Sequence, residues 1–191
     1  IGFLGTASKD DKEKINKFYK RFDNTSSELS HFNLTSDIDG FHEWLLNKDI
    51  VYVGGGNTFY MLEIWKKNNL EQVFKKAYEK GLILSGVSAG AVCWFDWILS
   101  DSMGRGFEPL KGINLIKGSC TPHSDNIERI NEFGFNIKNN KLPNGVAIDD
   151  GVAVVFIDGK PTEVYSSINN HNAYFLDKNI KINLKKYIKN I

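Results

Sequence analysis

An α/β fold, with a mostly parallel sheet and helices on both faces, is predicted by three observations. Short apolar, β-rich runs alternate with amphipathic helical stretches from the N-terminus to about residue 90. Glycine-rich turns stand where a run gives way to a helix, at 54–56 and again at 86–90. The C-terminal part is richer in strands and carries a hairpin signal at 152–166, where Asp158-Gly159 separates two β-rich runs. No internal repeat, proline-rich linker or low-complexity stretch divides the 191 residues, so a single domain over 1–191 is expected.

The elements follow in order. Residues 1–4 (Ile-Gly-Phe-Leu) read as a buried strand at the very start of a chain without an initiating methionine, so an N-terminal segment carrying one more strand is expected to be missing. Ser8, with Asp11 three residues on, reads as the N-cap of a helix whose Ile15, Phe18, Tyr19 and Phe22 share one face. A second strand is expected at 29–34, and a helix carrying Ile38, Phe41, Trp44 and Leu45 follows it. Residues 50–53 are a β-rich run, 59–65 and 70–80 are helical, and 82–84 form the strand that leads into the second glycine turn. The lysine-rich segment 178–189 alternates with Ile180, Ile182, Leu184 and Ile188, which suits a terminal strand or helix edge.

Composition excludes more than it identifies. An apolar fraction of 41%, a charged fraction of 25% and a net charge of +1 are those of an ordinary globular protein, with no call for nucleic acid or a membrane surface as partner. No run approaches the ~18 apolar residues of a membrane span. Cys93 and Cys120 are too few for a disulfide scaffold or a zinc site, and read as buried free thiols of a cytoplasmic protein. No metal and no cofactor is expected.

The chemistry centres on Gly86-Val87-Ser88-Ala89-Gly90. A serine at the apex of a strand–turn–helix, flanked by glycines, has its hydroxyl lifted clear of the sheet, with backbone N–H groups from Ala89 onward facing whatever it attacks. The alternative is a small-residue turn that only caps a helix. Gly54-Gly55-Gly56-Asn57-Thr58 is a second strand-to-helix turn able to offer N–H groups to negative charge, without the lysine and spacing of a P-loop. A serine nucleophile needs a base. His31 and His42 sit on a strand and a helix and read as structural, which leaves His123, on a proline-stiffened loop, and His171, in a polar turn. The carboxylate that would orient the base is Asp149 or Asp150, at the end of the 146–148 run, or Asp101.

Three motifs together, Val53-Gly54-Gly55-Gly56-Asn57-Thr58, Gly86-Val87-Ser88-Ala89-Gly90-Ala91 and Thr121-Pro122-His123, resemble the peptidase E group of serine peptidases. That group includes aspartyl dipeptidases and the related cyanophycinases. The resemblance runs from Thr6 to about Gly151 and implies a fold like that of class I glutamine amidotransferases, which carry cysteine where this chain has Ser88. It further implies Ser88 as nucleophile, His123 as base and Asp150 as the orienting acid, in a position where peptidase E has glutamate. Asp149 and Asp101 remain additional acids. Gly56 and Ala89 match the oxyanion-hole residues and Asn57 a substrate-pocket position. Arg129 is the candidate cation for an acidic substrate side chain, its alternative being a solvated helix arginine paired with Glu128 or Glu132. The function implied is hydrolysis of small peptides, in particular dipeptides with N-terminal aspartate, through an acyl-enzyme; the sequence does not fix the oligomeric state, and a homodimer is one option. A silent binding domain on the same scaffold, or an esterase using His171, are the competing readings.

Overall fold

The structure, a computed structural model, describes residues 1–185. It comprises two compact units, Ile1–Cys93 and a second from Trp94 onward.

In the first unit four strands, β1 (Gly2–Leu4), β2 (Ser30–Phe32), β3 (Ile50–Val53) and β4 (Ile83–Gly86), pair in the order β2-β1-β3-β4. Every pair is parallel, as strands joined by helices require. The helices are α1 (Lys12–Phe22), α2 (Phe41–Leu46), α3 (Thr58–Lys67), α4 (Leu70–Glu79) and α5 (Ala89–Val92). Alternation along β1 shows that both faces are covered. Phe3 stacks on Phe18 of α1 at 4.9 Å between ring centroids, while a β-carbon on the neighbouring Gly2 would lie 2.6 Å from the Trp44 ring of α2. Behind α2, the rings of Phe41, Phe74 and Trp65 join α2, α4 and α3 in one aromatic cluster.

The register matters most for function. Leu4 pairs with Val53, and Val53 with Gly86, so β1, β3 and β4 end together at one edge of the sheet. The turn after β4 packs directly on β3. Val87 N–H donates to Val53 O at 3.1 Å, and a β-carbon at Gly90 would lie 2.1 Å from that same oxygen.

The second unit holds β5 (Phe95–Ser100), β6 (Glu108–Lys111), β7 (Ile116–Thr121), α6 (Ile127–Lys138), β8 (Gly145–Ile148), β11 (Ala173–Leu176) and β12 (Lys181–Asn183) around the ribbon β9 (Val152–Ile157) and β10 (Lys160–Ser166). The larger sheet runs β12-β11-β8-β7-β5-β6. Its central strands β5, β7 and β8 are parallel, and its flanking strands are antiparallel. Ile130, Phe133 and Ile137 of α6, spaced for one helical face, pack with Leu99, Ala147 and Leu176. The ribbon turns through Asp158 and Gly159, both at positive φ, as a tight hairpin turn needs.

Several local expectations are corrected. The N-cap of α1 is Asp11, whose side chain accepts from Lys14 N–H at 3.0 Å; Ser8 lies in a preceding 3-10 turn and donates to Gly5 O. The helix expected from Ile38 starts at Phe41, because Gly40 at φ +77 ends the preceding turn. The elbow helix α5 stops after four residues, and the apolar run that follows it is strand β5, not anticipated from sequence. In the C-terminal segment, 181–183 form β12, and Ile188 and Lys189 lie outside the described residues. Among the described residues no helix is long and apolar enough to cross a membrane.

Two glycine substitutions separate close packing from ordinary helix propensity. Gly90→Ala is expected to cost about 3 kcal/mol of stability, since the Val53 carbonyl occupies the added methyl's position. Gly134→Ala, in α6, meets only Leu176 Cδ2 at 3.9 Å and should gain about 0.5–1 kcal/mol. Urea denaturation of both variants measures the contrast.

Candidate active site

Ser88 sits two residues beyond the end of β4 at φ +52, ψ −113. A non-glycine residue held there carries about 1–3 kcal/mol of backbone strain. The strain is supported from both sides. Val87 is tied to β3 as described, and Ser88 O accepts from Ala91 N–H at 3.0 Å and Val92 N–H at 3.2 Å, so the helix begins on the serine itself. The glycine loop runs beside it: a β-carbon on Gly55 would lie 3.3 Å from Ser88 Cβ. Gly56, at φ +154, lies against the 3-10 turn so closely that a β-carbon would come within 2.2 Å of Ala7 O. Asn57 caps α3, its side chain accepting from Tyr60 N–H at 2.8 Å, and its own N–H donates to Ala7 O. Its amide is thus committed at least in part to the fold. Cys93 follows α5, fully buried, and burial pushes its thiol well above the usual range, which leaves it unsuited to nucleophilic chemistry. Cys120 is buried and raised in the same way.

In the second unit the parallel pairing of β7 with β8 aligns Thr121 with Ala147. Two residues further along, the chains emerge together at His123 and Asp149-Asp150. His123, like Ser88, has a positive φ, +54. Its Nδ1 is hydrogen-bonded to Asp150 Oδ1, with both side chains about half exposed. Asp150 is held by its main chain too: its N–H donates to Asp125 Oδ1 at 2.9 Å, and its carbonyl accepts from His171 Nδ1 at 2.8 Å. The Asp150 N–H bond, with smaller contributions from the His171 and His123 charges, holds the Asp125 carboxyl below the usual aspartate range. Asp125 therefore steadies this loop at neutral pH, and its contribution disappears as the pH falls through that lowered value.

Asp149 points elsewhere. It is buried and accepts from Ser124 Oγ at 2.5 Å and Asn172 N–H at 2.9 Å, clasping the loop after β7 to the start of β11. Arg129 is not the solvated arginine of the alternative reading. Its side chain is 8% exposed, pairs with Asp101 at 2.8 Å and lies 4.6 Å over the Phe107 ring; neither Glu128 nor Glu132 is its partner. Asp101, just past β5, is 59% exposed. His31 is hydrogen-bonded to the Tyr19 hydroxyl at 2.8 Å, as a structural histidine. Among the described residues no group of three or more His, Cys, Asp or Glu side chains is placed to hold a metal ion.

The structure thus brings together His123 with Asp150, Asp101 with Arg129, and the 54–56 loop with Ser88. Ser88 belongs to the first unit and His123 and Asp150 to the second. Sequence reasoning missed Asp125, which holds the Asp150 main chain, and Ser124 and Asn172, which hold Asp149 beside it. The one available signal was the polar run Ser124-Asp125-Asn126 between His123 and a helix start, where short acceptors are expected.

Comparison with known proteins decides the family. The profile of Peptidase family S51 matches residues 1–164. The chain belongs to this family. It is 36% identical over 179 residues to the uncharacterized peptidase YgaJ of Bacillus subtilis, covering 91% of this chain and 76% of that one. A Nostoc protein named peptidase E is 29% identical over 91 residues, 47% of this chain and 38% of its own. In fold, the crystal structure of a peptidase from an acI-B1 actinobacterium superposes with a TM-score of 0.71 at 18% identity, over 95% of this chain and 79% of that one. This S51 member is accordingly a hydrolase, a serine peptidase.

Asp149 and Asp150 are expected to separate in their effects. Asp149→Ala strands the buried Ser124 hydroxyl and the Asn172 N–H and should cost about 1–3 kcal/mol, whereas Asp150→Ala, half exposed, should cost less than about 1 kcal/mol. Equilibrium urea unfolding of the two variants checks the difference.

Proposed function

We propose that the chain hydrolyses small peptides through Ser88, His123 and Asp150, with an acyl-enzyme intermediate. The observation that carries the proposal is Ser88 at positive φ on a strand–turn–helix elbow in a chain of a serine peptidase family. The hydrogen bond between His123 Nδ1 and Asp150 supports the same reading, because it leaves Nε2 as the basic nitrogen. His123 Nε2 takes the Ser88 proton as Oγ bonds to the peptide carbonyl carbon. The oxyanion is held by the N–H groups of Gly56 and Ala89. Collapse breaks the C–N bond, and His123 passes its proton to the leaving amine. A water, deprotonated in turn by His123, then releases the acid and frees Ser88. Aspartate serves in place of glutamate as the third member, since either carboxylate accepts from Nδ1–H and Asp150 reaches His123 Nδ1.

The finer reading is a preference for dipeptides with N-terminal aspartate. Arg129 is its cation, and Asn57 is a second polar contact to the substrate. The Arg129 guanidinium is engaged through one nitrogen by Asp101, so a substrate carboxylate shares it with Asp101 or displaces it. An esterase built on His171 is less well supported, because His171 Nδ1 is bound to a main-chain carbonyl and to no carboxylate among the described contacts.

Steady-state hydrolysis of Asp-X and Asn-X dipeptides tests both levels. Ser88→Ala and His123→Ala should each lower kcat about 10⁶-fold with the fold intact. Asp150→Asn should lower it about 10³- to 10⁴-fold. His171→Ala should retain activity. Full turnover by Ser88→Ala contradicts the mechanism. An unchanged Asp-X preference in Arg129→Ala removes only the specificity assignment.

A further inference from the structure

The loop beside Ser88 carries a contact that the catalytic reading leaves unexplained. Lys14, in the first turn of α1, reaches across 41 residues of sequence and donates from Nζ to Gly55 O at 3.0 Å. That carbonyl belongs to the same planar peptide as Gly56 N–H, and in a trans peptide the two point in opposite directions. Holding one therefore aims the other. Gly56 N–H is the donor assigned above to the oxyanion, and among the described residues it has no acceptor within the chain.

This peptide carries no side chain on either flank. It lies between two glycines, so the paired rotation about Gly55 ψ and Gly56 φ that flips a peptide meets no side chain. The next peptide is fixed, because Asn57 N–H donates to Ala7 O at 2.8 Å and Asn57 caps α3. On the other side, one peptide beyond the immediate neighbour, the Val53–Gly54 peptide is fixed as well, with Gly54 N–H donating to Leu4 O at 2.9 Å. Between these two anchors, Lys14 is, among the described contacts, a group that favours one orientation of the Gly55–Gly56 peptide over its reverse. A flipped peptide would present a carbonyl where the oxyanion needs a donor. Lys14 is itself positioned by the fold: the Asp11 cap, accepting from Lys14 N–H, sets the start of α1.

We infer that Lys14 is a positioning residue for catalysis, whose ammonium group keeps the oxyanion-hole peptide in its donating orientation. The inference rests on the Ser88 reading above. It concerns an exposed side chain whose removal should leave stability almost unchanged, so its signature is kinetic.

The test is the second-order rate at which a fluorophosphonate probe phosphonylates Ser88, read by intact mass and peptide mapping. In that reaction Ser88 Oγ bonds to phosphorus, fluoride leaves, and the phosphoryl oxygen draws on the same donors as a peptide oxyanion. Wild type should be labelled at Ser88. Lys14→Ala should be labelled about 10-fold more slowly, as for a hole correctly formed about one tenth of the time. Lys14→Arg should restore most of the rate, and Lys17→Ala, an exposed lysine on the same helix, should match wild type. The urea midpoint of Lys14→Ala should stay at the wild-type value. Labelling of Lys14→Ala at the wild-type rate overturns the inference while leaving Ser88 as nucleophile. An equal loss in Lys17→Ala overturns it in favour of general surface charge. Absence of labelling at Ser88 in the wild type overturns the nucleophile reading itself.

Discussion

The contact between the Val53 carbonyl and the turn after β4 is the constraint on which the nucleophile depends. Val53 O takes the Val87 N–H, and the backbone on both sides of the serine lies so close to it that β-carbons at Gly86 and Gly90 would fall 2.6 and 2.1 Å away. No larger residue fits at either place without moving a strand. With Gly86 and Gly90 pinned, the three residues between them must reverse direction, and Ser88 absorbs the strain at φ +52. A strain of about 1–3 kcal/mol is offset by the sheet and the helix that the turn joins. The nucleophile's presentation is thus a consequence of strand packing.

A similar economy governs the second unit. Parallel strands in register deliver their following loops to the same edge, so His123 after β7 meets the residues after β8 without any long-range device. The two adjacent aspartates then divide the work, because the turn that starts at Asp149, closed by Val152 N–H on Asp149 O, sends their side chains to different partners. Asp149 turns inward to the Ser124 hydroxyl and the Asn172 N–H and secures the loop, while Asp150 turns outward to His123. Either residue alone would have to choose between holding the structure and orienting the imidazole.

Much of this was legible in the residues. The alternation of β-rich runs with amphipathic helices carries the α/β class, and the glycines around Ser88 carry the elbow, because both are local patterns with a steric cause. The Asp158-Gly159 hairpin was legible for the same reason. What was not legible depended on partners far along the chain. Ser8 and Asp11 are both good caps by type, and only the 3-10 turn at 6–8 decides for Asp11. The strand β5 follows a four-residue helix after only two turn residues, and its Phe-Asp-Trp-Ile-Leu run has neither a clean two-residue nor a helical period. The burial of Arg129 against Phe107 and Asp101 needs three separate segments, and no spacing in the sequence announces it. Asp149 and Asp150 were interchangeable until the β7–β8 register gave each a direction.

The most direct measurement of the central claim is to trap the covalent intermediate. The enzyme is mixed with a slowly deacylating p-nitrophenyl ester, quenched in acid during turnover, and its intact mass and peptide map are recorded. The account predicts one acyl group per chain, located on Ser88 and absent from Ser88→Ala. Turnover with no mass increase, or an acyl group on any other residue, would contradict it.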